Sequence, residues 1–307
     1  MSDDRAVTAG KKALRLFRGL EELALGTAHR LRLEAYVRSD RRPWRAGYTE
    51  FRARHLARTL ADPALLQAFR TAGRLPPGYG VRLDARAVEI PWALSRLGAA
   101  PGSLLDAGSS LNHDFAVRHC QRAGWKLHIL TLAPEWRSFW EQGVSYVYGD
   151  LRRTVFGDSV FDAVVCISTI EHVGMDNSLY AGDASAARPG DEWEFLEAVK
   201  ELKRVLRHGS TLYITFPFGR HERHGWFQQL DAGRTDRLVQ AFAPARAVET
   251  VFRYLPDGWQ ISDRAACAEC EFFDVRSSKY FDPKSNVEFP SDHPAAERAV
   301  LCLELTK

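Results

Sequence analysis

The sequence predicts an α/β fold: a doubly wound, mostly parallel sheet with a C-terminal antiparallel strand, preceded by an N-terminal helical region. Three observations predict it. From Ser103 onward, short apolar runs alternate with stretches of helical period, and β-α-β alternation implies parallel strands with helices on both faces. The run Phe161–Ile167 is almost wholly apolar, as a buried strand requires. The last residues, Arg298–Thr306, alternate apolar and polar in the manner of a final strand.

Before Ser103 the texture is helical. Residues 11–36 carry Leu14, Phe17, Leu20, Ala24, Ala28, Leu31 and Ala35 at three- and four-residue spacing, which predicts a helix. Lys11, Lys12, Arg15 and Arg18 crowd its start. That pattern allows weak peripheral contact with a membrane. The small alanines of its second half favour instead a lid packed on the main domain. Arg42–Tyr48 is a turn-rich break, followed by a second helix predicted from Thr49 to Phe69. The Pro and Gly residues of 75–80 mark an irregular segment. Residues 85–97 resume the helical pattern, with Pro91 as its start or a kink.

The main domain is expected over 85–307, with 1–84 as the helical region. Its strands are predicted at Ser103–Ala107, Leu127–Leu132, Tyr146–Tyr148, Phe161–Ile167 and Thr211–Phe216. Helices are expected near Phe115–Ala123, Trp136–Gln142 and Glu192–Leu206, the last stopped by Gly209. Asp236–Phe242 reads as a helix, Ala247–Leu255 as a strand and 256–294 as irregular. Segments at about 217–235 and 256–294 are substrate-side insertions.

Composition narrows the class. At 307 residues, with 45% apolar and 26% charged residues, the chain is long enough for a large core without disulfide or metal staples. Residues 1–60 hold 14 Lys or Arg against 7 Asp or Glu, so the remainder of this +3 chain sums to −4. A basic N-terminus on a mildly acidic body suits an anionic surface or substrate, or simply a solvated helix face. The five scattered cysteines, Cys120, Cys166, Cys267, Cys270 and Cys302, argue against a secreted disulfide scaffold. No apolar run approaches the roughly 20 residues of a membrane span, and no signal-peptide core follows Met1. A cytoplasmic protein is expected.

Five segments carry the chemistry. In Leu104–Asn112 an apolar strand ends in a small-residue loop that opens a helix, where a ligand can approach the backbone. Ile129–Glu135 ends the second strand at Thr131, and Asp150 follows the third. After Phe161–Ile167, polar Ser168, Thr169, Glu171 and His172 arrive together at the sheet edge where ligands bind. Phe216–Asp231 follows the fifth strand with His224, Trp226, Gln228 and Gln229, a mix suited to a hydroxylated acceptor. Each segment also has a plain alternative, such as a turn Asp or a solvated loop. His221 and His224 with Cys267 and Cys270 have zinc-ligand spacing, but neither pair is a site alone, and no metal is assigned.

In order and spacing these segments resemble the class I S-adenosylmethionine-dependent methyltransferases, whose fold is Rossmann-like. The resemblance covers roughly 85–307. Asp106 and Gly108 match the first motif, with Ser110 and Asn112 where the second and third glycines usually stand. The resemblance implies cofactor contacts from Asp106, Gly108, Ser109, Asn112, Thr131, Leu132, Asp150, Leu151, Ser168 and Thr169. Thr131 stands where the family places a ribose-binding carboxylate, and Asp150 where it places the adenine acceptor. His172 and Glu171 then face the acceptor. The segments Ile170–Asn177, His224–Gln229 and Tyr254–Trp259 further resemble methyltransferases from polysaccharide and glycan gene neighbourhoods.

The expected reaction is O-methylation of a carbohydrate or other small hydroxylated acceptor, with no nucleic-acid partner. His224, His172 and Glu171 are the catalytic candidates, and His224 is the slightly favoured base because its loop offers acceptor contacts. Asp176, Trp226, Gln228 and Gln229 are the acceptor-binding candidates. Two alternatives stay open. An NAD-dependent oxidoreductase needs three loop glycines and an acid about 20 residues on, of which this loop has one glycine and Thr131. A non-catalytic Rossmann-like module would have lost the cofactor through Ser110 and Thr131.

Overall fold

The computed structural model describes residues 26–98, 101–135, 137–181 and 189–307. The predicted positions Lys11, Lys12, Leu14, Arg15, Phe17, Arg18, Leu20, Ala24 and Trp136 lie outside them. The chain divides into two compact units, one up to Arg54 and one of His55–Lys307.

In the first unit, residues 26–38 form helix α1. Tyr36 is buried, and its hydroxyl donates to the carbonyls of Arg41 (2.8 Å) and Arg42 (3.1 Å), closing the turn that follows. Helix α2 is Tyr48–Ala61.

The helix expected over Thr49–Phe69 is two helices. Its second part is α3, Pro63–Arg70, with Asp62 extended and its carboxylate accepting from the Ala64 and Leu65 amides. Proline disfavours helical angles at the residue before it and has no amide to continue the ladder, so the break falls at Asp62-Pro63. Helix α4, Arg86–Arg96, runs through Pro91 rather than starting there. Pro91 cannot donate to the Ala87 carbonyl four residues back, and the buried Tyr79 hydroxyl donates to that carbonyl instead (2.8 Å).

The second unit is built on an eight-stranded sheet. In chain order its elements are β1 (Gly102–Ala107), α5 (Asp114–Arg122), β2 (Trp125–Thr131), β3 (Ser145–Tyr148), β4 (Phe161–Ile167), α6 (Ser178–Ala181), α7 (Phe195–Val205) and β5 (Leu206–Pro217). There follow the two-residue strands β6 (Glu222–Arg223) and β7 (Gln228–Gln229), then α8 (Ala232–Phe242), β8 (Arg246–Leu255), β9 (Gly258–Ser262), α9 (Arg264–Cys267) and β10 (Ala299–Thr306). The strand order is β3-β2-β1-β4-β5-β10-β8-β9, with β6 and β7 pairing separately. The first five strands are parallel. β10 inserts antiparallel between β5 and β8. This is the Rossmann-like, mainly parallel sheet with a C-terminal antiparallel strand. Phe195, Val199 and Leu202 of α7 pack on the strand residues Leu105, Val164 and Ile214. Among the described residues no helix is long and apolar enough to cross a membrane.

Three elements differ from expectation. The helix near Trp136–Gln142 is a single 3₁₀ turn, Trp140–Gln142, closed by left-handed Gly143. Gly209 does not stop a helix. α7 ends at Val205, and Gly209 lies in the bulged start of β5, left-handed at φ 76°, where the pairing with β4 shifts register. Residues 256–294 are not wholly irregular, because β9 forms a hairpin with β8.

Candidate active site

A cavity of about 220 Å³ opens at the C-terminal ends of β1, β2 and β4 and the loop after β3. Its floor is the loop after β1. Gly108 (φ 120°) and Ser109 (φ 68°) take the left-handed positions, not Asn112. A Cβ on Gly108 would fall 2.0 Å from the Thr169 hydroxyl oxygen, so the β1 and β4 loops touch as only glycine allows. Asp106 is fully buried and accepts from the Ser110 (3.2 Å) and Leu111 (2.7 Å) amides. It shapes the loop rather than lining the cavity. Burial pushes its carboxyl up to about 7, against the opposing pull of those two hydrogen bonds. Ser110 donates to the Ile167 carbonyl at 2.6 Å, tying the loop to β4. A hydroxyl thus does structural duty where the family has a glycine. The Ser109 hydroxyl is buried without a partner.

The expected cofactor residues Gly108, Thr131, Leu132, Asp150, Leu151, Ser168 and Thr169 all line the cavity. Asn112 does not. Its amide donates to the Glu135 carboxylate (2.7 Å) and the Arg137 carbonyl (3.0 Å), and its oxygen accepts from the Tyr146 hydroxyl (2.8 Å). That network holds Glu135 on the wall of the same cavity, four residues beyond Thr131. The end of β2 thus lacks a carboxylate, and the loop that follows places one on the same cavity wall. Asp150 is gripped by Arg152, whose amide (2.8 Å) and Nε (3.0 Å) donate to Oδ1, and Arg152 also pairs with Glu194. Arg152 Nε (2.9 Å) and Nη2 donate to Oδ2 as well, so three donors hold the carboxylate and about one of its four lone-pair sites is left.

The opposite wall comes from β4 and α4. Glu89, fully buried, accepts from the hydroxyls of Ser168 and Thr215 (2.7 Å) and pairs with Arg86 (2.6 Å). Arg86 faces the cavity. Glu171 is buried, one carboxylate oxygen has no partner, and desolvation raises its pKa well above the usual range. It lies 3.9 Å from His172 Nε2. His172 lines the cavity and its Nδ1 lies 2.9 Å from the Trp226 carbonyl. A carbonyl only accepts, so Nδ1 carries the proton and Nε2 keeps its lone pair. Burial pulls the imidazole down to about 4.

The loop after β5 does not meet its expectations. The Gln228 amide donates to the Glu192 carbonyl (2.6 Å), and that of Gln229 to the Arg220 (2.9 Å) and Cys270 (2.8 Å) carbonyls. Both side chains are fully buried ties between loops, not reagents facing an acceptor. The His224 imidazole bonds to Glu222 (3.0 Å) and stacks on Phe227 (4.6 Å), which separates it from His172. His224 does not line the cavity, so the ground for favouring it over His172 is lost. Asp176 accepts from the Ser178 amide (3.0 Å), starting α6. None of the four acceptor candidates lines the cavity, and Trp226 comes nearest to it. Its ring meets the wall residues His172 (5.1 Å) and Tyr180 (6.2 Å). Among the described residues no group of three His, Cys, Asp or Glu could hold a metal ion.

Sequence reasoning missed Glu135, Arg86, Glu89 and Tyr180. A signal for Glu89 was available, since an acid inside the apolar helical run Val88–Leu94 needs a buried partner.

Thr131 and Glu135 both line the cavity, and a pair of variants separates them. Thr131→Ala is expected to change affinity for S-adenosylhomocysteine by less than threefold. Glu135→Gln should weaken it by roughly 1–3 kcal/mol, the cost of an unmade hydrogen bond to a charged group. Calorimetric titration of both variants checks this. A larger loss in Thr131→Ala would return the ribose contact to the strand end.

Residues 105–214 match the family model described as a methyltransferase domain. No curated protein sequence matches the chain. Among solved structures, it is similar to a provisionally named sarcosine dimethylglycine methyltransferase from Galdieria sulphuraria (15% identity, TM-score 0.34, 48% of this chain and 55% of that one). The chain thus spans about half of that protein. It is similar to the YcgJ protein of Bacillus subtilis (11%, TM-score 0.43, 71% and 98%). It is also similar to geranyl diphosphate C-methyltransferase from Streptomyces coelicolor, solved with Mg²⁺, geranyl diphosphate and S-adenosylhomocysteine (13%, TM-score 0.41, 70% and 75%). These superpositions are loose, and the family model covers residues 105–214 only.

Proposed function

We propose that this chain is an S-adenosylmethionine-dependent methyltransferase that methylates an oxygen of a small hydroxylated acceptor, a carbohydrate being the favoured class. The supporting observation is the polarity of one cavity: the carboxylates of Glu135 and Asp150 at one end, the neutral imidazole of His172 at the other. The cofactor, when bound, supplies an electrophilic sulfonium methyl group. Glu135 would accept from the ribose hydroxyls in place of Thr131, and Asp150 from the adenine amino group. Leu132 and Leu151 would flank the base, and the loop at Gly108 would let it approach. Arg86, still facing the cavity while paired with Glu89, would meet the carboxylate of the amino-acid end. His172 Nε2 would take the acceptor hydroxyl's proton, leaving oxygen free to attack in line.

The proposed catalytic domain spans 85–307 in a cytoplasmic protein, preceded by the helical region 1–84. Titration with S-adenosylmethionine, S-adenosylhomocysteine and NAD tests the reading. Binding of the first two and not the third is expected. NAD binding would favour the oxidoreductase, and no binding a non-catalytic module. Screening hydroxylated acceptors by single-turnover methyl transfer then tests the acceptor class.

A further inference from the structure

Among the described residues two guanidinium groups line the cavity, and a third stands against a ring that touches its wall. Arg86 is paired with Glu89, and Arg152 with Asp150 and Glu194. Both already have carboxylate partners within the protein. Arg276 is different. Its guanidinium lies 5.4 Å from the Trp226 ring centroid, and among the described residues no carboxylate forms an ion pair with it. The nearby Asp274 carboxylate is engaged with the Arg276 backbone amide (2.9 Å).

The base of this arginine is fixed. It sits in a 3₁₀ turn, Val275–Ser277, capped by Asp274 and anchored by buried Val275. Trp226, which carries the guanidinium, is itself held through its carbonyl by His172 and by ring contact with Tyr180. His172 and Tyr180 belong to the cavity wall. Trp226 thus holds a cation, one with no ion-pair partner among the described residues, against a ring that also touches His172 and Tyr180. A cation stacked on an aromatic face keeps its planar fork free at the edge, where a carboxylate or phosphate can bind through two hydrogen bonds.

We infer that Arg276 is a specificity-determining residue that selects an anionic acceptor, a hydroxylated ring carrying a carboxylate or phosphate group. The inference rests on the methyltransfer reading. The negative group sits on Arg276, and the ring hydroxyl then faces His172. A neutral acceptor leaves the guanidinium solvated and gains nothing from it.

The test uses the full chain saturated with S-adenosylhomocysteine and two matched probe pairs: glucuronate against methyl glucoside, and 3,4-dihydroxybenzoate against catechol. Dissociation constants come from titration followed by saturation-transfer NMR. In at least one pair the anionic member should bind about tenfold tighter or more, with an advantage that shrinks as salt rises. Arg276→Gln should erase the advantage while affinity for S-adenosylhomocysteine stays unchanged. Preference confined to the dihydroxybenzoate pair would support Arg276 and reject the carbohydrate class. Equal or undetectable binding of charged and neutral members in both pairs overturns the inference, as does a charge preference that survives Arg276→Gln. Failure of S-adenosylhomocysteine to bind instead removes the methyltransfer reading, and the inference falls with it.

Discussion

His172→Asn is expected to slow single-turnover methyl transfer by about 10²-fold or more, the usual contribution of a positioned base, with S-adenosylhomocysteine affinity near that of the parent. Asparagine is the informative replacement. Its amide can still donate to the Trp226 carbonyl, as Nδ1 does now (2.9 Å), so the loop stays in place while the lone pair of Nε2 is lost. His224→Ala should cost much less, because its imidazole is occupied by Glu222 and shielded by Phe227. The pH profile supplies a second readout. A base works unprotonated, so the rate rises with pH through its pKa. With burial holding His172 at about 4, the acidic limb should fall near pH 4 rather than near 6.5, and His172→Asn should lack it. A His172→Asn variant of near-parental rate, beside a His224→Ala variant slowed a hundredfold, would reverse the assignment.

The contrast between the two histidines shows what a sequence can carry. The parallel strands were legible because each is a short apolar run closed by small or polar residues, and their order placed the cavity at the right sheet edge. β9 was not legible. Gly258–Ser262 offers little alternation and opens with glycine, and it is a strand because β8 gives it an edge to pair with. Gly209 has the composition of a helix stop but serves a bulge, a distinction that only the pairing of β5 with β4 makes. At the site, Asp150, Ser168 and His172 lie where a strand end must deliver them. Glu135 escaped notice because the acid was sought at the last residue of β2, and a loop held by Asn112 brings it there from further on. Gln228 and Gln229 have the chemistry of acceptor-reading residues, but burial turns their amides onto backbone carbonyls. Residue type announces chemistry. Which chemistry is used depends on what lies within 3 Å, and that is set by the packing.

Asp106 carries the other large expected effect, on stability and cofactor binding together. Asp106→Ala removes the acceptor of two buried amides, those of Ser110 and Leu111, in the loop on which the cofactor would rest. Each orphaned amide costs about 1–3 kcal/mol, so a loss of several kcal/mol and no measurable affinity for S-adenosylhomocysteine are expected. Asp106→Asn separates charge from shape. Its folded-state pKa, raised to about 7 by burial, exceeds the unfolded value of about 3.8. Between those values the folded chain binds more protons than the unfolded one, so this group's contribution to stability is full below pH 4. It declines as pH rises and levels off above pH 7. The drop amounts to about 4 kcal/mol across that window, at 1.36 kcal/mol per unit. Asparagine does not titrate. Its own cost, one misplaced donor among the two amides, is independent of pH. Glu171 and Glu297 are also buried carboxyls with raised pKa values, but both remain in the variant and cancel in the comparison. Urea unfolding of parent and Asp106→Asn at pH 5 and pH 8 should therefore show the parent's advantage shrinking at the higher pH. Parallel stabilities at the two pH values would mean that Asp106 ionises as an ordinary carboxylate, and that the loop rests on a charged acceptor rather than a desolvated one.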